Sequence, residues 1–246
     1  MNHDLMTSTR RQFLARAMMG SAALFTVKGA FAEALIRTPR LTEGPFYPDQ
    51  MPLDTDNDLL ILSDSITPAV GEVTYFHGVV MDLQGQPVRN ALVEIWQVDN
   101  KAVYIHTADS EGKDRETNFQ GYGRCITGSK GEYFFRTIKP VPYPGRTPHI
   151  HVAVSLKGQR VLTTQALING HEQNARDGLF RGVQGEDAKK ALLVDFLPMD
   201  GAQAGELTAR FDIVMGLTPE DPSTDRFRGR RPGGQGPGGP RRNPGA

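Results

Sequence analysis

A single cysteine, Cys125, among 246 residues excludes a disulfide within the chain and any zinc site built from several thiolates. A metal held here must use nitrogen and oxygen donors. No pattern of catalytic partners accompanies Cys125, which therefore reads as a small buried hydrophobe rather than a nucleophile. Net charge is absent as well: Lys plus Arg equals Asp plus Glu at 28 each, so no overall field draws the chain to nucleic acid or to an anionic membrane. Internal repeats are lacking, and the length fits one domain with tails. Beyond the N-terminal segment, no run is long and apolar enough to cross a bilayer.

That N-terminal segment has its own pattern. Thr7-Ser8-Thr9-Arg10-Arg11-Gln12-Phe13-Leu14 sets paired arginines before an apolar stretch that ends in Ala30-Phe31-Ala32. These are the charged region, apolar region and A-x-A cleavage site of an export signal over residues 1–32, with the arginine pair pointing to the twin-arginine route. A membrane anchor fits less well, because Arg16 and Lys28 interrupt the stretch and it falls short of the roughly 20 clean apolar residues a span needs. The expected location is the periplasm or another exported compartment, with the mature chain starting near Glu33 and carrying no membrane span. Twin-arginine export moves folded cargo, which suits a protein that acquires a metal before it leaves the cytoplasm.

Residues 33–72 read as an irregular arm, kept out of regular structure by stretches such as Gly44-Pro45-Phe46-Tyr47-Pro48. From Val73 to about residue 220 the pattern changes to short apolar or alternating runs, near 73–81, 91–98, 132–137, 149–156, 161–168 and 207–214. Turn chemistry separates them, as in Gln84-Gly85-Gln86-Pro87 and Gly128-Ser129-Lys130-Gly131. Leu207, Ala209, Phe211 and Ile213 alternate with mostly polar neighbours, the period-2 signature of a half-buried strand. The fold class expected is all-β, a two-sheet antiparallel β-sandwich, with one short helix over 186–196. Residues 221–246, rich in Gly, Pro and Arg, lack the apolar content to offset the entropy of ordering and are expected to be a disordered, solvated tail.

Chemistry concentrates in Tyr143-Pro144-Gly145-Arg146-Thr147-Pro148-His149-Ile150-His151, which supplies a phenol, a guanidinium and two imidazoles. On a strand, residues i and i+2 share a face, so His149 and His151 project together while Ile150 faces away. By itself a His-x-His pair also suits two surface imidazoles. Upstream, Val103-Tyr104-Ile105-His106 adds a second phenol. Hard oxygen and borderline nitrogen donors without thiolates favour ferric iron over zinc or copper(I), and a trivalent cation stabilises a phenolate that is otherwise neutral at pH 7. His106 lies two residues from Tyr104 and is either an orienting group or simply exposed; His77 and His171 have no partners in sequence.

Gly131-x-Tyr133-x-Phe135-x-Thr137-Ile138-Lys139-Pro140, Pro142-Tyr143-Pro144 and Arg146-x-x-His149-Ile150-His151 together resemble the intradiol ring-cleavage dioxygenases, in particular the protocatechuate 3,4-dioxygenase branch. The resemblance extends back through Ala91-Leu92-Val93-Glu94-Ile95-Trp96-Gln97 to Gly44-Pro45-Phe46-Tyr47-Pro48. It implies a non-haem Fe(3+) held by Tyr104, Tyr143, His149 and His151, with Tyr104 and His151 equatorial and Tyr143 and His149 axial. It further implies a catecholic substrate that displaces Tyr143, O2 as co-substrate, and cleavage between the two hydroxylated carbons to a cis,cis-muconate type diacid. A released Tyr143 phenolate is a built-in base, Arg146 can stabilise negative charge developing on the ring, and Gln165 resembles the family's pocket glutamine. Gly44, Pro45 and Phe46 are expected at the substrate mouth.

The chain also departs from the family. Tyr143 and His149 are only six positions apart, shorter than in better-known members, and Gly145 stands where protocatechuate enzymes carry an aromatic residue. The helical N-terminal dimerisation region of catechol 1,2-dioxygenases is missing. Protocatechuate enzymes pair two related chains, and this one combines the arm of one with the iron site of the other, which leaves room for a homo-oligomer. Alternative readings are the same chemistry on hydroxyquinol or a larger lignin-derived catechol, or a non-catalytic transthyretin-like envelope binding module with vestigial ligands.

Overall fold

Alternation along the strand that carries His149 and His151 sets the architecture of the chain. A computed structural model describes residues 35–52, 54–62, 67–202 and 205–216; the expected export signal and basic tail lie outside them. The fold belongs to the unit that begins at Ile36. Its strands are β1 (Val73–Asp82), β2 (Leu92–Trp96), β3 (Tyr122–Ile126), β4 (Glu132–Ile138), β5 (His149–Leu156), β6 (Gln159–Ile168), β7 (Leu193–Val194), β8 (Phe196–Pro198), β9 (Leu207–Arg210) and β10 (Ile213–Met215). They form two five-stranded sheets. One is built on β1, which pairs antiparallel with β4 and parallel with β9 and β10, while β8 lies beyond β9. The other has the order β3-β2-β5-β6-β7, antiparallel except for the parallel β6–β7 pair.

Between the sheets lies one core, in which Phe76 and Val80 of β1 and Phe135 of β4 join Val93 and Ile95 of β2 with Ile150, Val152 and Val154 of β5. Each such side chain contributes about 1.5–3 kcal/mol on leaving water. The even-numbered residues of β5 thus fill the core, and period-2 geometry sends His149, His151 and Ala153 to the opposite face. That face is covered too: Trp96, Val98, Tyr104, Tyr122 and Ala153 form a second cluster under Phe46 and Tyr47. A strand buried on both faces carries no polar residue except where partners await it.

The segment 207–214 differs from the single alternating strand its pattern suggests. β9 and β10 keep one register along β1 (Thr74↔Leu207 and Val80↔Ile213) but are interrupted at Phe211 and Asp212. The interruption is locked: Tyr133 donates its hydroxyl to the Phe211 carbonyl, and the Asp212 carboxylate accepts from Val79 N at 3.0 Å. Opposite them, Gly78 is required, since a Cβ there would lie 2.0 Å from the Phe211 carbonyl oxygen. The helix expected over 186–196 covers only Glu186–Lys190. Leu193 and Val194 instead extend the second sheet beside Leu167 and Ile168, because pairing there buries apolar side chains that a surface helix would leave wet. Among the described residues no helix is long and apolar enough to cross a membrane.

Residues 38–42 run beside β6, and Phe46 and Tyr47 then lie over the outer face of the second sheet. Thr38 N donates to Val214 O at 3.0 Å, Leu41 N to Thr163 O at 2.9 Å, and Thr164 Oγ1 to Pro39 O at 2.7 Å. Further on, Arg124 N of β3 donates to Thr55 O and Arg136 N of β4 to Asn57 O, so the same segment binds an edge of each sheet before Leu59 and Leu60 enter the core. Midway, the buried Glu94 carboxylate accepts from the hydroxyls of Tyr47 and Tyr122, each at 2.7 Å, and pairs with Arg160 at 3.0 Å. The Arg160 guanidinium also lies 4.6 Å over the Tyr47 ring and reaches Glu43.

Burial alone would raise the Glu94 carboxyl, but the Tyr122 and Tyr47 hydroxyls and Arg160 outweigh it and hold it below the usual range. Its stabilisation is therefore complete above the ordinary carboxylate pKa of about 4.3 and is lost as pH falls from there through the lower folded value. Glu94→Gln is expected to cost about 2 kcal/mol at neutral pH and to leave residues 43–47 open to limited proteolysis. The difference in Tm between parent and variant should shrink on acidification below about pH 4; a difference independent of pH would refute an ionised Glu94.

Candidate metal centre

β5 lies between β2 and β6, and the ladder sets Trp96 and Gln165 on either side of His151. The Trp96 indole stacks on the His151 ring at 4.7 Å and 9°. Tyr104 comes from the loop after β2, which is folded by buried carboxylates. Asp99 accepts from Lys101 N, Val103 N and Glu116 N, and Asp109 accepts from Tyr104 N at 2.7 Å. Tyr143 begins a tight turn in which Arg146 N donates to Tyr143 O at 3.0 Å. Pro144 and Gly145, the latter at φ +81°, fill its central positions in the type II pattern. The Pro-Gly pair thus folds the phenol and the guanidinium back toward β5.

These elements bring four donor atoms together. Tyr104 Oη lies 2.9 Å from His151 Nε2, 3.3 Å from His149 Nε2 and 3.5 Å from Tyr143 Oη, and the two Nε2 atoms are 3.1 Å apart. His149 Nδ1 can only donate to Thr147 O, at 2.6 Å, which leaves the Nε2 lone pair aimed into the cluster. His151 Nδ1 is buried without a protein partner. Burial and the Arg146 charge push His149 down to about 4; burial, His149 and Arg146 push His151 well below its ordinary value. Both rings are neutral near pH 7, the state in which imidazole ligates metal. Burial and the nearby Tyr143 raise the Tyr104 phenol well above its usual range, so a phenolate here calls for a strong adjacent cation. Converging lone pairs on neutral imidazoles beside two phenols, with no thiolate, fit a hard trivalent ion.

Around the donors, Arg146 Nε donates to Asp177 Oδ2 at 2.8 Å and its terminal nitrogen to Gln165 Oε1 at 2.5 Å. Gln165 is fully buried, and its amide nitrogen is committed to Thr42 O at 3.0 Å. Of the residues expected at the mouth, Phe46 stands 5.2 Å from the Tyr104 ring and 5.8 Å from the His106 ring. A Cβ on Gly44, which adopts φ +72°, would be 3.5 Å from His151 Cε1, so the backbone passes directly over that ring. Pro45 is exposed. Gly145 is open to solvent, with nothing within 4 Å of a Cβ built there.

Other histidines stand apart from the four donors. His106 caps a short helix, α1 (Thr107–Ser110), its Nδ1 accepting from Ala108 N at 3.0 Å. His77 meets Thr208 Oγ1 in the first sheet, and His171 caps the turn at Glu172–Ala175. Burial pushes the Cys125 thiol up to about 11, which keeps it unreactive.

Sequence reasoning missed Asp177. Its carboxylate is fully buried and accepts from Arg146 Nε, Thr147 N, Leu179 N and Phe180 N. Burial would raise this carboxyl, but Arg146 and the backbone amides hold it below the usual range. The only hint in sequence is that an Asp two and three residues before those amides can cap a helix, here α2 (Gly178–Gly182).

Residues 42–216 match a family model described as Dioxygenase. The chain is 36% identical over 169 residues to the protocatechuate 3,4-dioxygenase beta chain of Burkholderia cepacia, covering 65% of this chain and 71% of that one. It is 33% identical over 151 residues to catechol 1,2-dioxygenase of Acinetobacter baylyi, covering 54% of this chain and 47% of that one. Catechol and hydroxyquinol 1,2-dioxygenases are spanned over 47% to 62% of their length. Among solved structures, the dioxygenase domain of a dioxygenase carbohydrate-binding protein fusion from Streptomyces sp. SirexAA-E superposes with a TM-score of 0.54 at 29% identity, covering 74% of this chain and 100% of that one.

Trp96 is the sole tryptophan and stacks on a candidate ligand. Ferric ion added to the metal-free protein is therefore expected to quench its emission with a single equivalence point, and Tyr104→Phe to weaken uptake by at least about tenfold. Unquenched emission would show that the four donors hold no iron.

Proposed function

Because this chain belongs to the intradiol ring-cleavage dioxygenase family, we propose that it is a non-haem ferric enzyme. It opens the aromatic ring of a catechol with O2 between the two hydroxylated carbons and gives a cis,cis-muconate type diacid. The observation that carries this reading is the convergence of Tyr143, His149 and His151 donor atoms within 3.5 Å of the Tyr104 hydroxyl on the covered face of the second sheet. Iron held by these four would supply the Lewis acid for both catechol oxygens. A binding module with vestigial ligands has no reason to keep two neutral imidazoles aimed at a buried phenol.

The remaining work falls to the protein's own groups. Tyr104, His149 and His151 are buried, whereas Tyr143 is only partly buried on a turn that touches solvent. Tyr143 is thus the ligand able to swing away and take a catechol proton on its phenolate oxygen. Arg146 presents its positive charge beside the site and stabilises negative charge that develops on the ring. Gln165 fixes Arg146 from β6 and ties it to Thr42 O. Gly44, Pro45 and Phe46 line the entrance, where Phe46 offers a flat face to an incoming ring. The paired arginines near the N-terminus support export by the twin-arginine route to the periplasm.

A protocatechuate-like catechol is the substrate we favour, since the Burkholderia cepacia beta chain is matched over more of its length than the catechol and hydroxyquinol relatives. Hydroxyquinol or a larger lignin-derived catechol is the second reading, favoured by the open space at Gly145, where a substituent can extend unhindered. Iron-loaded protein should be red-brown, and anaerobic addition of its substrate should shift the visible band. Oxygen uptake with protocatechuate, catechol, hydroxyquinol and an aryl-extended catechol then ranks them. No shift and no uptake with any of the four would overturn the dioxygenase reading. Tyr143→Phe should alter the resting colour and catechol binding, and an unchanged spectrum would remove Tyr143 from the ligand set.

A further inference from the structure

One carboxylate oxygen serves both halves of the site. Asp177 Oδ2 accepts from Arg146 Nε at 2.8 Å and from Thr147 N at 3.0 Å. The carbonyl of that same Thr147 accepts from His149 Nδ1 at 2.6 Å, and its hydroxyl donates to Asn174 Oδ1 at 2.6 Å. Asp177 Oδ1 is occupied separately, accepting from Leu179 N at 2.9 Å and Phe180 N at 3.1 Å at the start of α2. The carboxylate is fully buried, and among the described residues its only charged partner is the Arg146 guanidinium.

We propose that Asp177 is a positioning residue for the ring-cleavage reaction, aiming Arg146 at the substrate and setting the orientation of the His149 imidazole through residue Thr147. The proposal rests on the dioxygenase reading above. A guanidinium has five N–H donors and many rotamers; anchoring Nε on one side and a terminal nitrogen on Gln165 on the other leaves one orientation. On the other branch, the Asp177 bond to Thr147 N fixes the Arg146–Thr147 peptide, and rotation about Thr147 Cα into the next peptide is limited by Pro148 and by the Thr147 hydroxyl bond to Asn174. The Thr147 carbonyl, in that next peptide, then holds His149 Nδ1 as the protonated nitrogen, so that Nε2 faces the other donors. No bond forms or breaks at Asp177.

The substitution that separates this role from a structural one is Asp177→Asn. An amide keeps one oxygen to cap α2 through Leu179 and Phe180, so the fold survives, but it turns an N–H₂ toward Arg146 and Thr147, both donors. Two measurements follow. In ferric titration of the metal-free protein read by Trp96 emission, the variant should bind about tenfold more weakly than the parent. In turnover of the best catechol by iron-saturated protein, kcat should fall by at least about tenfold with a smaller change in KM. That loss should shrink in an Arg146→Gln background, where one of the two groups Asp177 acts through is gone.

Parental ferric affinity together with parental kcat would overturn the proposal. So would a kcat loss that persists undiminished on top of Arg146→Gln, since that is the signature of a general structural defect. If the parent takes up ferric ion but cleaves none of the catechols, the dioxygenase reading fails on its own, and the ferric titration still decides whether Asp177 orients His149. A parent that takes up no ferric ion overturns both.

Discussion

The structure depends on one strand that is buried on both faces. In β5, Ile150, Val152 and Val154 complete the core between the sheets, while His149 and His151 form the floor of the candidate metal centre. Stability and chemistry therefore share a backbone, separated only by the side-chain alternation of an extended chain. A register slip of one residue would bury the imidazoles in hydrocarbon and turn the isoleucine and valines toward the donors. The flanking strands fix the register on both sides, with Trp96 and Gln165 opposite His151.

Burial makes the site expensive and useful together. Two imidazoles and a phenol removed from water are all pushed toward their neutral forms, which leaves a concentration of lone pairs with few protons to share. A cation relieves that arrangement, and a low-dielectric setting strengthens its interaction with each donor. The charges that remain, Arg146 and Asp177, neutralise one another at 2.8 Å while the guanidinium keeps a face toward the site. Glu94 with Arg160 repeats the same device farther along the sheet, under Tyr47.

Much of this was legible in the sequence, for reasons that differ by element. The strand signals of β1, β2, β4, β5 and β6 rest on local patterns that the sheets reinforce, and the spacing of His149 and His151 dictates a shared face on any strand. Tyr143 shares one nine-residue stretch with the two histidines, but joining Tyr104 to it as a ligand set rested on family resemblance, because nothing local tells that two loops 39 residues apart meet. The split of 207–214 was not legible, since it depends on Gly78 and Tyr133 across the sheet. The same holds for Leu193 and Val194, whose neighbours continue a helical pattern but whose burial requires β6. Asp177 was hidden most fully: a capping aspartate looks alike whether or not an arginine 31 residues earlier folds onto it.

The covering segment carries a consequence for the order in which the molecule is assembled. Its contacts join residues far apart in the chain, Thr38 with Val214 across 176 positions and Thr42 with Gln165 across 123. Contacts of such separation carry a high loop-closure entropy and form late, whereas β5 and β6 are joined by a two-residue turn and pair early. The donors on β5 are thus laid out while the roof is still open. A cation taken up by those donors would be covered from that side only once the irregular segment docks. The turn at Tyr143 and Gly145 remains the side open to solvent, so an ion held there would come and go past that turn, and its lifetime would follow the motion of a three-residue gap in the wall rather than the unfolding of the roof.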